Sequence, residues 1–463
     1  MLPLTLPEIA QATSAQIRGT ATAAIITEVS DDSRKVKPGS LFIALRGERF
    51  DAHDFLPQVA RDGAAAILAD RQDKIFDLPI PVLLVSDTRQ ALGQLGHYVR
   101  QKLKCRVIAI GGSNGKTTTK HLVGSVLATQ FKGTQSPKSF NNDIGVPLAL
   151  LGAGATDHYV ILELGTNHPG ELSPLSLMAE PQIAAIISIG AEHLEGFGDL
   201  DGVRREEVSL VNGLRPDGLL IANGDDAKLL ELVRSRTHKL ITFGFRPDND
   251  LAATSVRCSL DGIHFRVSGS DNEFHLPLPG RHNASNALVA IAIGREFGMT
   301  DSAIGDALAA CSRPEMRMQL VRVNGVTILN DAYNANPASM HAALRTLADA
   351  DVPGRRFAIL GEMRELGVSS QSLHEEIGRT AAGAGLSVLV CVAGHARAIA
   401  DAAIAAGMPL DSVRFAADAA AAAQLAPQLI QPGDTVLLKG SRGVKLELVA
   451  NALTSTSPAG NKS

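Results

Sequence analysis

The sequence predicts an α/β protein built from three units, and three observations carry that reading. The chain has 463 residues, too many for one ordinary domain and suited to about three. Apolar strand-like runs alternate with helical stretches along its length. Near the middle, "CRVIAIGGSNGKTTTKHLVGSVLA" reads as a buried strand, a glycine loop and a helix, with Leu122, Val123, Val126 and Leu127 on one face.

Composition agrees. Apolar residues are 45% and charged residues 20% of the chain, so each unit can bury a core. The formal net charge of −4, with both signs mixed, gives no reason to expect nucleic acid or an anionic membrane as partner. Cys105, Cys258, Cys311 and Cys391 lie far apart without a CxxC pair and read as buried thiols of a reducing compartment. The opening "MLPLTLPEIAQATSA" lacks a basic residue and carries Pro3 and Pro7, which argues against a signal peptide. No apolar run is long enough to span a bilayer. The expectation is a cytosolic protein.

In chain order, residues 1–103 supply the strand candidates "AAIITEV", "GSLFIAL", "AAAILAD" and "PVLLVSD", then a helix, "TRQALGQLGHYVRQKL". Residues 104–314 open with the glycine loop and continue with the strands "HYVILELG", "IAAIISIG", "GLLIANG" and "KLITFGF". The alternating stretch "SVRCSLDGIHFRVSGSDNEFHLPLPG" predicts antiparallel strands on one flank, and "NASNALVAIAIGREFG" a helix running toward a boundary at Arg313-Pro314. Residues 315–463 repeat the strand–helix alternation through "VTILNDAYNANPASM", "RFAILGE", "SVLVCVAG" and "DTVLLKGSR". "DAAAAAQLAPQL" favours helix, and "TSTSPAGNKS" reads as a frayed end.

The loop is where chemistry enters. A strand, a glycine-lysine turn and a helix aim backbone N–H groups and a helix N-terminus at one point, which attracts phosphate. Lys116 would neutralise terminal phosphates and the Thr117 hydroxyl would ligate Mg²⁺. The usual pattern has a glycine where Ile110 stands, so an ordinary glycine-rich turn is the plain alternative. Glu163 ends one strand and His193 follows another, at the carboxyl ends where parallel sheets bind ligands. Glu163 could hold Mg²⁺; His193, alone, reads as a solvated loop histidine. In "GVRREEVSLVNGL", Val203, Leu210, Val211 and Leu214 form an apolar face with Glu207 inside it, while Arg204, Arg205 and Glu206 are expected in solvent. A carboxylate in that position needs a partner, either a cation or a buried arginine.

With these residues assembled, the chain resembles the Mur ligases, ATP-dependent amide-forming enzymes of peptidoglycan precursor synthesis. Their shortened loop, Gly-x-x-Gly-Lys-Thr, matches Gly112 to Thr117. "DSRKVKPGSLFIALRGERFDAHDF", "SFNNDIGVPLALL", "AEHLEGFG", "GRHNASNALVA", "DAYNANPASM", "GEMRELG" and "LLKGSRG" follow in family order. "RGERFDAHDF" and "DAYNANP" point to the member that joins D-alanyl-D-alanine to UDP-N-acetylmuramoyl-tripeptide. Other amide ligases of the superfamily, adding one amino acid or extending folate with glutamate, are the nearest alternative. A nucleotide-binding module without ligase activity is the more distant one.

The resemblance implies a P-loop-type, mostly parallel central sheet with flanking helices (104–314). It also implies a Rossmann-like C-terminal unit (315–463) and a small α/β UDP-binding unit (1–103). Ser33, Arg34, Gly47, Arg49, Phe50, Asp51 and His53, with Asn141 and Asn142, would grip the UDP-sugar. Gly111, Gly112, Ser113, Asn114, Gly115, Lys116, Thr117 and Thr118 would surround the ATP phosphates, with His282, Asn283 and Asn286 near the adenine. Asp331 would meet the ribose, and Tyr333 and Asn336 would complete the site. Glu362, His374, Ser441 and Arg442 would face the dipeptide. Lys116, Glu163, His193 and Glu207 would form the catalytic set, with Thr117, Glu163, His193 and Glu207 around Mg²⁺. ATP and Mg²⁺ would be the cofactors of a monomer that binds neither nucleic acid nor membrane. One departure stands out. The family usually has a lysine, carbamylated into an anion, fourteen residues after the histidine; here that place is Glu207, and no lysine lies between Lys138 and Lys228. The expectation is that Glu207 supplies the anion directly.

Overall fold

The computed structural model describes residues 1–19, 23–47, 50–237 and 239–455. Its nine-stranded sheet has the order Gly133–Gln135, Tyr159–Glu163, Arg106–Gly111, Ile183–Ile186, Leu219–Asn223, Lys239–Gly244, Leu251–Cys258, Ile263–Val267, Glu273–Leu276. The first seven run parallel and the last two fold back antiparallel, as the alternating stretch predicts. Central strands that read as unbroken apolar runs are buried on both faces, as parallel strands covered by helices must be.

Strand Arg106–Gly111 divides two cores. Val107 and Ala109 face one, shared with Leu92, Leu95 and Val99 of helix Thr88–Lys102 and with helices Gly145–Gly152 and Leu172–Ala179. Ile108 and Ile110 face the other, built on helices Lys116–Leu127 and His282–Glu296. The first 103 residues therefore share a core with one face of the central sheet. Two details fix that seam. A Cβ on Gly96 would stand 2.5 Å from Pro147 Cβ and 2.8 Å from its Cα, so only glycine lets these helices meet. Arg100, fully buried, donates to Ala179 O and Glu180 O at 2.6 Å each and to Gln182 Oε1 at 3.1 Å, satisfying carbonyls at a helix C-terminus.

The N-terminal five-stranded sheet has the order Gln16–Arg18, Val82–Leu84, Ala66–Ala69, Leu41–Ile43, Val29–Ser30. "AAIITEV", expected as one strand, yields two short ones, because Ile25–Ile26 pairs instead with Leu4–Thr5. The C-terminal sheet runs Gln319–Val323, Val326–Asp331, Thr435–Lys439, Arg356–Gly361, Val388–Val392, Val413–Ala416, with only its first strand antiparallel. Helices Pro337–Asp349, Ser370–Gly383 and Ala396–Ala405 cover one face; Ala419–Leu429 and Glu447–Ser455 cover the other. The expected frayed end lies mostly outside the described residues. Among the described residues no helix is long and apolar enough to cross a membrane.

Overpacking at the helix seam gives a direct test. Gly96→Val should lower stability by about 1–3 kcal/mol, read as a drop in denaturant midpoint at unchanged slope.

Candidate active site

Strand Arg106–Gly111 lies between Tyr159–Glu163 and Ile183–Ile186, where the direction of strand succession reverses. Loops leaving the carboxyl ends of these strands diverge and leave a crevice. The loop from Gly111 to Gly115 enters it. Gly112 has φ 121° and Gly115 φ 88°, both in the region glycine tolerates. At Gly115 a side chain would also collide with Asn286 Oδ1, 2.5 Å from the position of a Cβ. Three loop N–H groups are held by the protein itself: Gly112 donates to Glu207 Oε2 at 2.7 Å, Ser113 to Ser188 O at 2.8 Å and Asn114 to Ser188 Oγ at 2.9 Å. The loop is thereby clamped, and the start of helix Lys116–Leu127 is aimed into the cleft.

Lys116 curls back so that its ammonium donates to Gly112 O at 2.5 Å. Burial opposes its charge, but Glu192, Glu207 and Glu163 together raise its pKa above the usual lysine value. The Thr117 hydroxyl donates to Glu163 Oε2 at 2.9 Å and lies 3.2 Å from Ser139 Oγ. Glu163, almost fully buried, also meets Asn141 Nδ2 at 3.3 Å and Lys120 Nζ at 3.3 Å.

Glu207 is 1% exposed. One of its oxygens takes the Gly112 N–H, and Oε1 has no protein partner. Burial drives its pKa up to about 8 against the pull of Lys116, with Glu192 adding to the rise. A fixed cation strong enough to keep it ionised is therefore missing from its protein surroundings, and the buried-arginine alternative falls. Its neighbours correct the sequence reading. Glu206, expected in solvent, is buried and accepts from Gly170 N and Leu172 N at 2.8 Å each. Arg204 is buried too, paired with Asp201 and with Asp226 at 3.3 Å. The helix ends at Val208 and continues as a 3₁₀ turn over Ser209–Gly213, which brings these side chains inward.

His193 takes a left-handed backbone conformation, φ 48°, and its Nδ1 pairs with Glu365 Oε2. It is a cleft residue bound to the third unit, which corrects the solvated-loop alternative. The set Thr117, Glu163, His193 and Glu207 does not converge on one point. Among the described residues no three His, Cys, Asp or Glu side chains cluster as metal ligands. Thr117 and Glu163 form one corner, Glu207 packs against Gly111 and Gly112, and His193 turns to Glu365.

A cleft of about 520 Å³ joins Lys116, Thr117, Glu163 and His193 to His282, Asn283, Asn286, Asp331, Tyr333 and Asn336, and Ser113, Asn114, Gly115, Thr118, Asn141 and Asn142 also line it, whereas Gly111, Gly112 and Glu207 do not. Asn286 Nδ2 donates to Asn283 Oδ1 at 3.0 Å, and Asn283 Nδ2 to Pro279 O at 2.7 Å, which fixes both amides. Burial pushes the His282 imidazole below its usual pKa. Asp331 is paired with Lys439 at 2.6 Å. Asn336 caps helix Pro337–Asp349 through Ser339 N, as its sequence context allows, and its Nδ2 also donates to Asn114 Oδ1 at 2.9 Å. Arg317 stacks 4.1 Å over the Tyr333 ring and donates to Thr117 Oγ1 at 2.9 Å.

The remaining predicted residues stand elsewhere. Ser33, Arg34, Gly47, Phe50, Asp51 and His53 do not line this cleft, and Arg49 lies outside the described residues. Phe50 is 76% exposed. His53 is buried, its Nδ1 2.6 Å from Asp51 Oδ1 and its Nε2 accepting from Asp70 N at 3.1 Å. Both ring nitrogens are occupied, so His53 shapes its loop from within. Glu362, His374, Ser441 and Arg442 also lie off the cleft. His374, expected to face a ligand, is fully buried; its Nε2 accepts from Met363 N at 2.9 Å and its Nδ1 meets Ser370 O at 2.7 Å. It holds the 362–366 loop. Ser441 Oγ accepts from Arg364 N at 3.0 Å in the same loop, whereas Arg442 is half free, near Glu447 at 3.4 Å.

Sequence reasoning missed Arg317, Glu192 and Lys120. Lys120 carried a readable signal, being one helical turn beyond Lys116 and on the same face. Glu192 adjoins His193. Arg317 sits in a loop with no periodicity to mark it.

Three family models match: "Mur ligase family, catalytic domain" over residues 25–100, "Mur ligase middle domain" over 110–294 and "Mur ligase, glutamate ligase domain" over 316–442. The chain is 36% identical to the UDP-N-acetylmuramoyl-tripeptide–D-alanyl-D-alanine ligase of Escherichia coli (strain K12), covering 98% of this chain and 99% of that one. It is 36% identical to the ligase of the same name from Bacillus subtilis (strain 168), covering 93% of each. Among solved structures, MurF from Acinetobacter baumannii matches with a TM-score of 0.88 at 32% identity, over 98% of this chain and 99% of that one. MurF from Thermotoga maritima in complex with ADP matches with a TM-score of 0.81 at 25% identity, over 92% and 97%.

The buried carboxyl predicts a pH effect. Because burial holds the Glu207 pKa in the folded protein at about 8, above the ordinary glutamate value of 4.5, the folded protein holds a proton the unfolded chain has lost. Its contribution is complete below the unfolded value and is lost as pH rises through the folded one. Without nucleotide or divalent metal, thermal stability should fall between about pH 4.5 and 8 more steeply than in Glu207→Gln. Parallel melting profiles would contradict this.

Proposed function

The chain belongs to the Mur ligase family, and from that membership we propose that it joins D-alanyl-D-alanine to UDP-N-acetylmuramoyl-tripeptide, driven by ATP. The products are UDP-N-acetylmuramoyl-pentapeptide, ADP and phosphate. The observation that carries the reading is the meeting of Lys116, Thr117 and Glu163 with Arg317 and Asn336 in one cleft.

The chemistry explains why a phosphate loop serves amide synthesis. A carboxylate is a poor acyl donor because its leaving group would be oxide. Phosphorylating it gives an acyl phosphate, from which inorganic phosphate departs readily when the dipeptide amine attacks the carbonyl. Lys116, and Arg317 from the third unit, are the fixed charges suited to stabilising the transferring phosphoryl group. His282, Asn283, Asn286, Asp331 and Tyr333 form the wall suited to the nucleoside.

The donor set fits a magnesium ion. Thr117 and Glu163 offer hard oxygens at one corner of the cleft, and Glu207, set apart against Gly111 and Gly112, offers a buried oxygen without a protein partner. Magnesium takes one or two carboxylates and completes its shell with phosphates and water, so a cluster of three protein ligands is not required. When bound, Mg²⁺ would screen charge on the phosphates. Glu207 would serve as the anion that a carbamylated lysine gives elsewhere in the family, and His193 could join only by exchanging Glu365.

In this reading units 1–103, 104–314 and 315–463 divide the labour. The first grips the UDP-sugar through Ser33, Arg34, Gly47, Arg49, Phe50 and Asp51, with His53 setting their loop and Asn141 and Asn142 adding contacts. The third supplies dipeptide surface through Glu362, Ser441 and Arg442, with His374 fixing it from behind. A cytosolic monomer without nucleic-acid or membrane partner completes the proposal.

Phosphate release with ATP, Mg²⁺ and UDP-N-acetylmuramoyl-tripeptide should depend on D-alanyl-D-alanine, with pentapeptide detected by mass spectrometry and no gain from added bicarbonate. ATP binding without pentapeptide would refute the substrate assignment. Lys116→Met should lower kcat by about 10²–10³-fold, measured against saturating ATP; a loss below tenfold would remove Lys116 from the phosphoryl-transfer step.

A further inference from the structure

Helix Lys116–Leu127 carries two lysines one turn apart, and only the first faces the cleft. Lys120 has a side chain 5% exposed, and all three of its ammonium donors have protein partners. Its Nζ lies 3.3 Å from Glu163 Oε2 and 3.5 Å from Ser136 Oγ, and it donates to Lys138 O. Ser136 Oγ in turn accepts the Glu163 N–H at 3.2 Å. A phosphate in the cleft would find no donor left on Lys120. A second phosphate-binding lysine is thereby excluded.

What Lys120 does touch is informative. Glu163 Oε2, the oxygen it faces, is also the acceptor of the Thr117 hydroxyl. A buried carboxylate with an ammonium against it is fixed in orientation and carries less free negative charge for another cation. We propose that Lys120 is a positioning residue that weakens the hold of Glu163 on a divalent cation, so that tight metal binding requires the nucleotide phosphates as well. The inference rests on the reading of Glu163 as a magnesium ligand. Its consequence is that Mg²⁺ binds as part of the nucleotide complex, and the site does not retain the ion once the nucleotide leaves.

Calorimetric titration of the full-length protein with Mg²⁺, with and without ADP, tests this, alongside thermal shifts under the same conditions. Lys120→Met and Lys120→Gln should bind Mg²⁺ in the absence of nucleotide at least tenfold more tightly than the parent protein, and ADP should add less to that affinity. Lys120→Arg, which keeps the charge, should stay within a few fold of the parent. In activity assays the neutral variants should show a lower half-saturating Mg²⁺ concentration, separately from any change in kcat. Unchanged or weaker Mg²⁺ binding in a folded neutral variant overturns the proposal. If both neutral variants fail to fold, a Lys120→Arg variant with tighter nucleotide-free Mg²⁺ binding overturns it and parent-like binding supports it. Glu163→Gln separates the two layers. If it leaves Mg²⁺ binding intact, the ion is not at Glu163 and the underlying reading fails. If it abolishes binding while the neutral Lys120 variants match the parent, only the role of Lys120 fails.

Discussion

The fixed point of this molecule is the end of strand Arg106–Gly111. That strand is hydrogen-bonded on both edges and buried on both faces, with a different core on each side. It cannot slide by one residue without exchanging Val107 and Ala109 for Ile108 and Ile110 between the cores. Its last residue is therefore set within the fold, and so is the origin of the glycine loop. Glu163 and the chain after Ile186 leave the neighbouring strands at the same level, through the pairs Glu163–Ile110 and Ile186–Gly111. The functional groups share a cleft because their strands share a register.

Electrostatics then decides how those groups behave. Lys116 lies among Glu163, Glu192 and Glu207, with Arg317 and Lys120 nearby. Two carboxylates of this set differ in kind. Glu163 is surrounded by donors: a hydroxyl, an amide and an ammonium. Glu207 has one N–H and an oxygen with nothing to accept, and burial outweighs Lys116 in setting its proton affinity. The first is stabilised by the protein itself; the second is a charge that the protein alone does not stabilise. That contrast is why the proposed role of Glu207 is that of an anion awaiting a cation.

Much of this was legible in the sequence where period and punctuation coincide. Unbroken apolar runs gave the buried parallel strands, alternation gave the antiparallel flank, and glycine next to lysine gave the phosphate loop. Glu207 was visible because a carboxylate interrupts an apolar face. Glu206 and Arg204 were misjudged because helical spacing describes one helix against one core. The helix Leu200–Val208 is instead covered on further sides, by the Gly165–Leu172 loop and by Asp226. His53 and His374 were placed with ligand-facing residues because motif membership does not tell a contact from its support. Only the occupied ring nitrogens reveal that. Arg317 reaches the cleft, and Glu365 reaches His193 at its edge, across a unit boundary, a relation that no local pattern encodes.

Those crossings bear on how the cleft works. Arg317 to Thr117, Asn336 to Asn114 and Glu365 to His193 each link a side chain of the third unit to the central one. All three are polar, and each central partner belongs to the phosphate loop, its helix or the turn after Ile186. Polar contacts lose little when water or a ligand replaces the partner, so these three would yield to a nucleotide more readily than the apolar contact of Leu260 with the third unit's core. Of these third-unit side chains, the Arg317 guanidinium and the Asn336 amide carry donors suited to phosphate oxygens, whereas Glu365 is an acceptor that serves only His193. In the proposed reaction, a triphosphate lying in the cleft would take the hydrogen bonds that Arg317 and Asn336 now give to Thr117 and Asn114. An acyl phosphate formed inside would, on that reading, be kept from water by the groups that stabilise its formation. Recognition of the nucleotide and protection of the intermediate would thus rest on one set of contacts, anchored at the end of strand Arg106–Gly111.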